Sequence, residues 1–229
     1  MEHTIRVIAH IESDFPEKFG IPRQSGLVPE LRARIVFEPE YRSDDALRGI
    51  KGFSHLWLIW QFSAAVRDTW SPTVRPPRLG GNERVGVFAT RSPFRPNAIG
   101  LSCVKLEDVR HEEGLGSVLL VSGADLMDGT PIYDIKPYLP YADAHPEALG
   151  GFAPSPKETI AVDCPPELLQ KLPEGQRAAL LGVLAQDPRP QYQNDPEREY
   201  GMSFGGWSVH FRVSGGTLHV RAVEKETDR

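Results

Sequence analysis

The chain has 229 residues, two cysteines, a formal net charge of −5, 40% hydrophobic residues and 25% charged residues. Such a chain can bury one substantial core, or a core with a smaller appendage, without disulfide or metal staples, and its composition excludes the disordered and membrane classes. Its acidic total also excludes nonspecific nucleic-acid binding through a uniformly basic surface.

The N-terminal MEHTIRVIAHIE carries charge inside its apolar run and lacks a signal-peptide cleavage pattern. The longest apolar stretch, residues 55–62, is far shorter than the roughly 20 residues a membrane-spanning helix needs, so a cytoplasmic location is expected. Alternation of apolar and polar residues with β-branched enrichment predicts strands at 4–11, 33–37, 55–62, 84–90, 101–109 and 117–122. Ser43-Asp44-Asp45 reads as a cap on one or two helical turns. The first 145 residues therefore read as a β-barrel or strongly curved sheet. HPEALGGFAPSPKE follows, with three prolines and two adjacent glycines, which marks a linker at 146–158. Residues 159–229 carry helical patterns at 165–172 and 174–185, then two alternating strands at 207–213 and 217–223 joined by Ser214-Gly215-Gly216 as a hairpin. The expected fold is thus mainly β, a barrel domain with a small C-terminal α+β domain.

Chemistry-bearing motifs of the familiar kinds are missing. Cys103 and Cys164 stand 61 positions apart with no CxxC, and the seven histidines form neither HExxH nor an i, i+4 pair, so no metal is expected. The first strand is not followed by GxGxxG, which argues against a Rossmann-type cofactor site. Charge is unevenly spread: Arg75, Arg78, Arg84, Arg91 and Arg95 face the single acid Glu83, leaving about −9 for the rest of the chain. A local basic stripe on an acidic body suits one specific docking site.

Four segments are richer in Gly, Pro and polar residues than packing requires. PEKFGIPRQSGL, residues 16–27, lets Gly26 bring the backbone near a ligand while Arg23 and Gln24 supply donors; a plain surface turn explains it equally well. In RPPRLGGNERVGVFATRSPFRPNAIGLS, residues 75–102, Pro93 and Pro96 flank Phe94 and Arg95 and hold the backbone extended. Its arginine forks suit phosphate or carboxylate, though a solvated basic loop would look the same. DLMDGTPIYDIKPYLPYAD, residues 125–143, interleaves Asp125, Asp128, Asp134 and Asp143 with Tyr133, Tyr138, Tyr141 and Lys136. This reads as a base-stacking and proton-accepting surface or as a proline-rich wall of the barrel. LAQDPRPQY, residues 184–192, places Arg189 between two prolines, and a proline-stopped helix end accounts for it as well.

Taken together in order and spacing, PRQSGL, FSHLWLIWQF, RPPRLGGNERVGVFATRSPFRPNAIGLS, DGTPIYDIKPYLPYAD and QDPRPQY resemble the motif set of the TrmO (YaeB-like, formerly TsaA) family. The resemblance covers residues 5–143 closely and the remainder less densely. Ala98 stands where the family pattern has proline, and Ser63 stands where histidine is common. The resemblance implies a β-barrel methyltransferase outside the Rossmann class that uses S-adenosylmethionine. It further implies a homodimer with the cofactor near its interface, and a tRNA substrate whose adenosine 37 carries a threonylcarbamoyl group on N6. Carried over residue by residue, it places the cofactor against Ser25, Gly26, Leu27, Ser63, Ala64, Arg91, Leu101, Leu126, Met127, Asp128 and Gly129. Asp134, Tyr138 and Lys136 are the candidates for handling the attacking nitrogen and its proton, and Arg95, Asp187, Arg189 and Tyr192 for gripping tRNA. An RNA or nucleoside methyltransferase of another specificity, or a cofactor-binding sensor without turnover, would keep much of the same pattern.

Overall fold

The computed structural model describes residues 3–66, 69–190 and 195–226. Twelve strands and three helices follow in chain order: β1 (Ala9–Glu12), β2 (Arg32–Phe37), β3 (His55–Gln61), β4 (Thr73–Val74), β5 (Val85–Gly86), β6 (Ile99–Glu112), β7 (Gly116–Ser122), β8 (Pro131–Pro137), α1 (Pro140–Asp143), β9 (Ala161–Asp163), α2 (Pro166–Leu169), α3 (Glu174–Ala185), β10 (Tyr200–Phe204), β11 (Trp207–Ser214) and β12 (Thr217–Lys225). Six strands close into a barrel in the order β1-β2-β7-β6-β3-β8. Closure depends on the short pairing of β1 with β8, where Ala9 faces Ile132 and His10 faces Pro131. With every strand of the ring paired on both sides, no open sheet edge remains.

Period-two patterning fills the barrel. Along β3, Leu56, Leu58 and Trp60 point inward; β2 contributes Ala33, Ile35 and Phe37, and β6 contributes Val104. The register of β6 against β7 slips between Leu106 and Asp108, leaving Glu107 as an extra, bulged residue. Glu107 accepts hydrogen bonds from Ser122 Oγ (2.7 Å) and Lys105 Nζ (3.1 Å) and pairs with Arg32 (2.5 Å). Those donors hold its carboxyl down at about 2, with Ser122 contributing most. Its stabilising contribution is therefore complete above the ordinary glutamate value of 4.5 and is lost as acid protonates it between there and about 2. Glu107→Gln is expected to flatten the acid limb of a stability-against-pH curve in that window and to leave the slope near neutrality unchanged.

A second, four-stranded sheet has the order β10-β11-β12-β9, antiparallel except for the β12–β9 pair. On α3, Ala179, Leu180, Val183 and Leu184 form one buried stripe that packs with Phe204, Phe211 and Val220 from this sheet. This core also takes in Phe15, Val28 and Leu31 from the long loop between β1 and β2. Phe15 meets Phe204 edge to face at 5.5 Å, and Gln176 Nε2 donates to Asp14 Oδ1 at 2.7 Å. At Gly20 (φ +95°) a Cβ would lie 2.2 Å from Met202 Sδ, so only glycine allows the loop to lie this close to β10. The loop between β1 and β2 belongs to both halves of the molecule.

The main departures from the pattern reading have local causes. Residues 84–90 do not form a strand: only Val85 and Gly86 pair, with Val74 and Thr73. Next in line is Pro72, which accepts the Val87 N–H (2.9 Å) but has no N–H to return, so the ladder stops and a 3-10 turn takes over at Val87–Ala89. Conversely, β8 runs through the 125–143 segment, where alternation predicts no strand, with its two prolines at the strand's ends. The strand expected at 4–11 pairs only from Ala9 onward, and Ser43 precedes a 3-10 turn without capping it through its side chain. The helix Glu174–Ala185 and the final hairpin lie where periodicity puts them. No helix among the described residues is long and apolar enough to cross a membrane.

Candidate cofactor cleft

A cleft of about 540 Å³ opens at one end of the barrel, within the roughly 300–1,000 Å³ typical of small-molecule sites. Four pieces of chain converge on it: the β1–β2 loop at Lys18 and 21–24, the end of β3 at Trp60–Ala65, the loop 90–95, and the start of β6 at Ile99–Leu101. Asp125, Met127 and Thr130 complete it from the β7–β8 connection. Trp60 forms part of the floor. Its ring lies directly on the backbone of Gly100, where a Cβ would come within 2.3 Å of the indole, and Phe62 packs against it at 4.3 Å between ring centroids.

Beneath the floor runs a buried hydrogen-bond chain. Trp60 Nε1–H donates to Ser102 Oγ (3.0 Å), and Ser102 Oγ–H donates to Asp125 Oδ1 (2.5 Å). The Asp125 carboxylate lies within electrostatic reach of Arg91, and the backbone at Ser25 and at Asp125 itself also favours its charge. Burial raises its pKa, and Ser102 and Arg91 oppose that rise without cancelling it. Around this one acid the cleft lining carries four cations, Lys18, Arg23, Arg91 and Arg95. Several are fixed: Arg91 donates to Gln24 Oε1, Lys18 Nζ to the Ala64 carbonyl, and Arg95 to the carbonyls of Thr90 (2.9 Å) and Ser92 (3.4 Å).

The residues singled out from the sequence fall into separate places. Ser63, Ala64, Arg91, Leu101 and Met127 line the cleft, as does Arg95. Ser25, Gly26, Leu27, Leu126, Asp128 and Gly129 do not line it; Ser25, Gly26, Leu126, Asp128 and Gly129 tie together the loops behind it. Ser25 Oγ accepts the Cys103 N–H (3.1 Å), and the Gly26 N–H bonds to the Gly123 carbonyl (2.8 Å) where two glycine backbones cross. Asp128 Oδ1 accepts the Ser13 N–H (2.9 Å), the Gly129 N–H reaches the Ile11 carbonyl (2.8 Å), and the Leu126 carbonyl accepts Ser13 Oγ–H (2.9 Å). Asp134, Lys136 and Tyr138 lie outside the lining. Asp134 pairs with Lys136 at 2.7 Å, and Tyr138 packs on Trp57 and His55 at 5.8 and 6.1 Å. Asp125 and Ser102 are site residues that the motif resemblance does not carry over. The sequence signal for Asp125 was its place in the DLMDG segment, but only the fold brings it against Ser102, 23 residues earlier.

Asp187 and Arg189 face each other. Asp187 takes a left-handed conformation (φ 51°) just past α3 and is gripped by Arg189 through two bonds, at 2.8 and 3.0 Å, with Lys157 at 3.4 Å. Side-chain exposures of 14% and 10% show both groups turned inward. Burial works against the Asp187 charge, yet Arg189 and Lys157 prevail and hold its carboxyl below the usual range. Arg189→Ala should accordingly cost about 1–3 kcal/mol in urea unfolding, the penalty for leaving a buried acceptor short of its donor. Unchanged stability would show the pair to be idle. Tyr192 lies outside the described residues.

A closed barrel with a cleft at one end and an appended four-stranded sheet defines a class of β-barrel proteins distinct from Rossmann folds. Family models place the chain within that class: the tRNA-methyltransferase O N-terminal domain matches residues 10–144 and the TrmO C-terminal domain matches residues 157–226. A tRNA (adenine(37)-N6)-methyltransferase of Escherichia coli K12 is 42% identical over 227 residues, covering 95% of this chain and 96% of that protein. Another protein of that name from Eikenella corrodens is 48% identical, over 75% of this chain and 97% of its own. The crystal structure of TrmO from Pseudomonas aeruginosa superposes with a TM-score of 0.78 at 37% identity, over 97% of this chain and 99% of that one. This chain belongs to the tRNA-methyltransferase O family.

Proposed function

We propose that this protein is an S-adenosylmethionine-dependent tRNA methyltransferase that methylates N6 of adenine 37, beside the anticodon, on an adenosine already carrying a threonylcarbamoyl group. The observation carrying this reading is the cleft itself, whose lining sets four cations around one buried acid and adds an aromatic wall from Trp60 and Phe62. Such a lining suits an amino-acid zwitterion joined to a flat base: arginine and lysine for the carboxylate, the rings for the base. When bound, the cofactor supplies a methyl group already activated on a sulfonium.

The protein's own contribution is then positioning and exclusion of water. Lys18, Arg91 and Arg95 hold the cofactor's carboxylate end, and Ser63, Ala64, Leu101 and Met127 wall its remainder. Asp134, Lys136 and Tyr138 lie outside the cleft lining of their own chain, so they act at the acceptor nitrogen from the second copy of a homodimer. The tRNA approaches over the β4–β5 hairpin, where Arg75, Arg78 and Arg84 are exposed and Trp70 stacks with Phe88 at 6.1 Å with Arg95 over the Phe88 ring. Arginines with open aromatic faces suit phosphates and unstacked loop bases. The barrel is the cofactor-binding domain, residues 146–158 link it to the C-terminal domain, and the latter extends the tRNA surface. Incubating the purified chain with labelled cofactor and tRNA bearing threonylcarbamoyladenosine, followed by mass spectrometry of the nucleosides, should show methyl label on that nucleoside alone. Label on another nucleoside would redirect the substrate assignment, and no label on any RNA would remove it.

A further inference from the structure

We propose that Asp125 is the residue by which this cleft recognises the positive sulfonium of its cofactor, a role resting on the reading of the cleft given above. The inference starts from how its carboxylate is bonded. Asp125 Oδ1 accepts the Ser102 Oγ–H, and Ser102 Oγ in turn accepts the Trp60 indole N–H, so the carboxylate is fixed beside the aromatic floor. What it presents to the cleft is a negative charge held in one place.

A sulfonium has the matching need. It carries full positive charge and no N–H or O–H, so a hydrogen-bond acceptor gives it nothing specific, whereas a fixed negative charge and an aromatic face both stabilise it. Asp125 is the only acid in the cleft lining among the described residues, and Trp60 stands in the same lining, joined to it through Ser102. Against the four surrounding cations, Asp125 is the one carboxylate in the described lining that can offset a positive centre. Such an arrangement favours the methyl-bearing form of the cofactor over the spent, uncharged thioether.

The test is calorimetric titration of the full chain and of Asp125→Asn with S-adenosylmethionine and with S-adenosylhomocysteine, which differ in that charge and one methyl group. The variant should bind the sulfonium form about 10–30-fold more weakly while binding of the thioether changes by less than about threefold. Equal losses for both ligands would show Asp125 to be a hydroxyl acceptor or a loop tether, and would overturn the assignment. A second measurement does not depend on the variant folding: the unaltered chain must hold the sulfonium form several-fold tighter than the thioether. Parity there would also sink the assignment. Failure of the unaltered chain to bind either ligand would refute the cofactor reading itself, and this inference with it.

Discussion

Replacing Trp60 with alanine is expected to lower the stability of the protein by about 3–5 kcal/mol, the usual cost of deleting a large buried aromatic. The indole is 7% exposed, belongs to the barrel core and rests on the Gly100 backbone. Its loss leaves a cavity that rigid strands on either side cannot close, and it removes the N–H that Ser102 Oγ accepts. Against a typical total of about 5–15 kcal/mol, the change should appear as a large fall in the urea midpoint. Cofactor binding should be lost along with it, because one side chain is both core and cleft floor. Gly100→Ala attacks the same contact from the other side, by overpacking. A variant of Trp60 with the parent's midpoint would show that the floor is not built as described.

The second large effect is expected at Arg91. Arg91→Ala should weaken S-adenosylmethionine binding by about 1.5–3 kcal/mol, the range for a hydrogen bond to a charged group, read by calorimetry as a loss of at least tenfold. Arg91 reaches into the cleft lining, is braced by Gln24, and lies within electrostatic reach of Asp125. Removing it deprives the ligand carboxylate of a fork and leaves Asp125 less compensated. Its exposed position and the absence of a core contact mean that the unfolding midpoint should stay near that of the parent chain, which separates this outcome from the one at Trp60. Unaltered affinity would take Arg91 out of the cofactor site.

Much of the fold could be read from alternation, because the strands at 33–37 and 55–62 bury every second residue. β8 escaped that reading. Ile132 and Ile135 both pack against the barrel core although they are three residues apart, since the register against β3 shifts between Ile59 and Trp60. A bulge breaks the period that sequence patterning depends on. At the site, Arg91, Ser63, Ala64, Leu101 and Met127 were reachable through the motif resemblance, but nothing local ties Asp125 to Ser102 or Trp60. Those three meet only because β3, β6 and the β7–β8 connection converge at one end of the barrel. The inward pairing of Asp187 with Arg189 was equally hidden, for an arginine between two prolines reads the same whether it faces solvent or its neighbour.

The loop between β1 and β2 bears on how such a protein can be recombined. Its Phe15, Val28 and Leu31 sit in the core of the C-terminal sheet, while Lys18, Pro22, Arg23 and Gln24 form one wall of the cleft. A crossover in the proline- and glycine-rich stretch near residue 150 would look clean on the sequence, yet it would pair a foreign C-terminal sheet with apolar side chains shaped for the old one. The unit that could be exchanged between homologues is the C-terminal sheet together with residues 13–31, and exchanging it necessarily exchanges part of the cofactor's wall. Inheritance of the appended sheet and inheritance of cofactor affinity are thereby linked in this architecture.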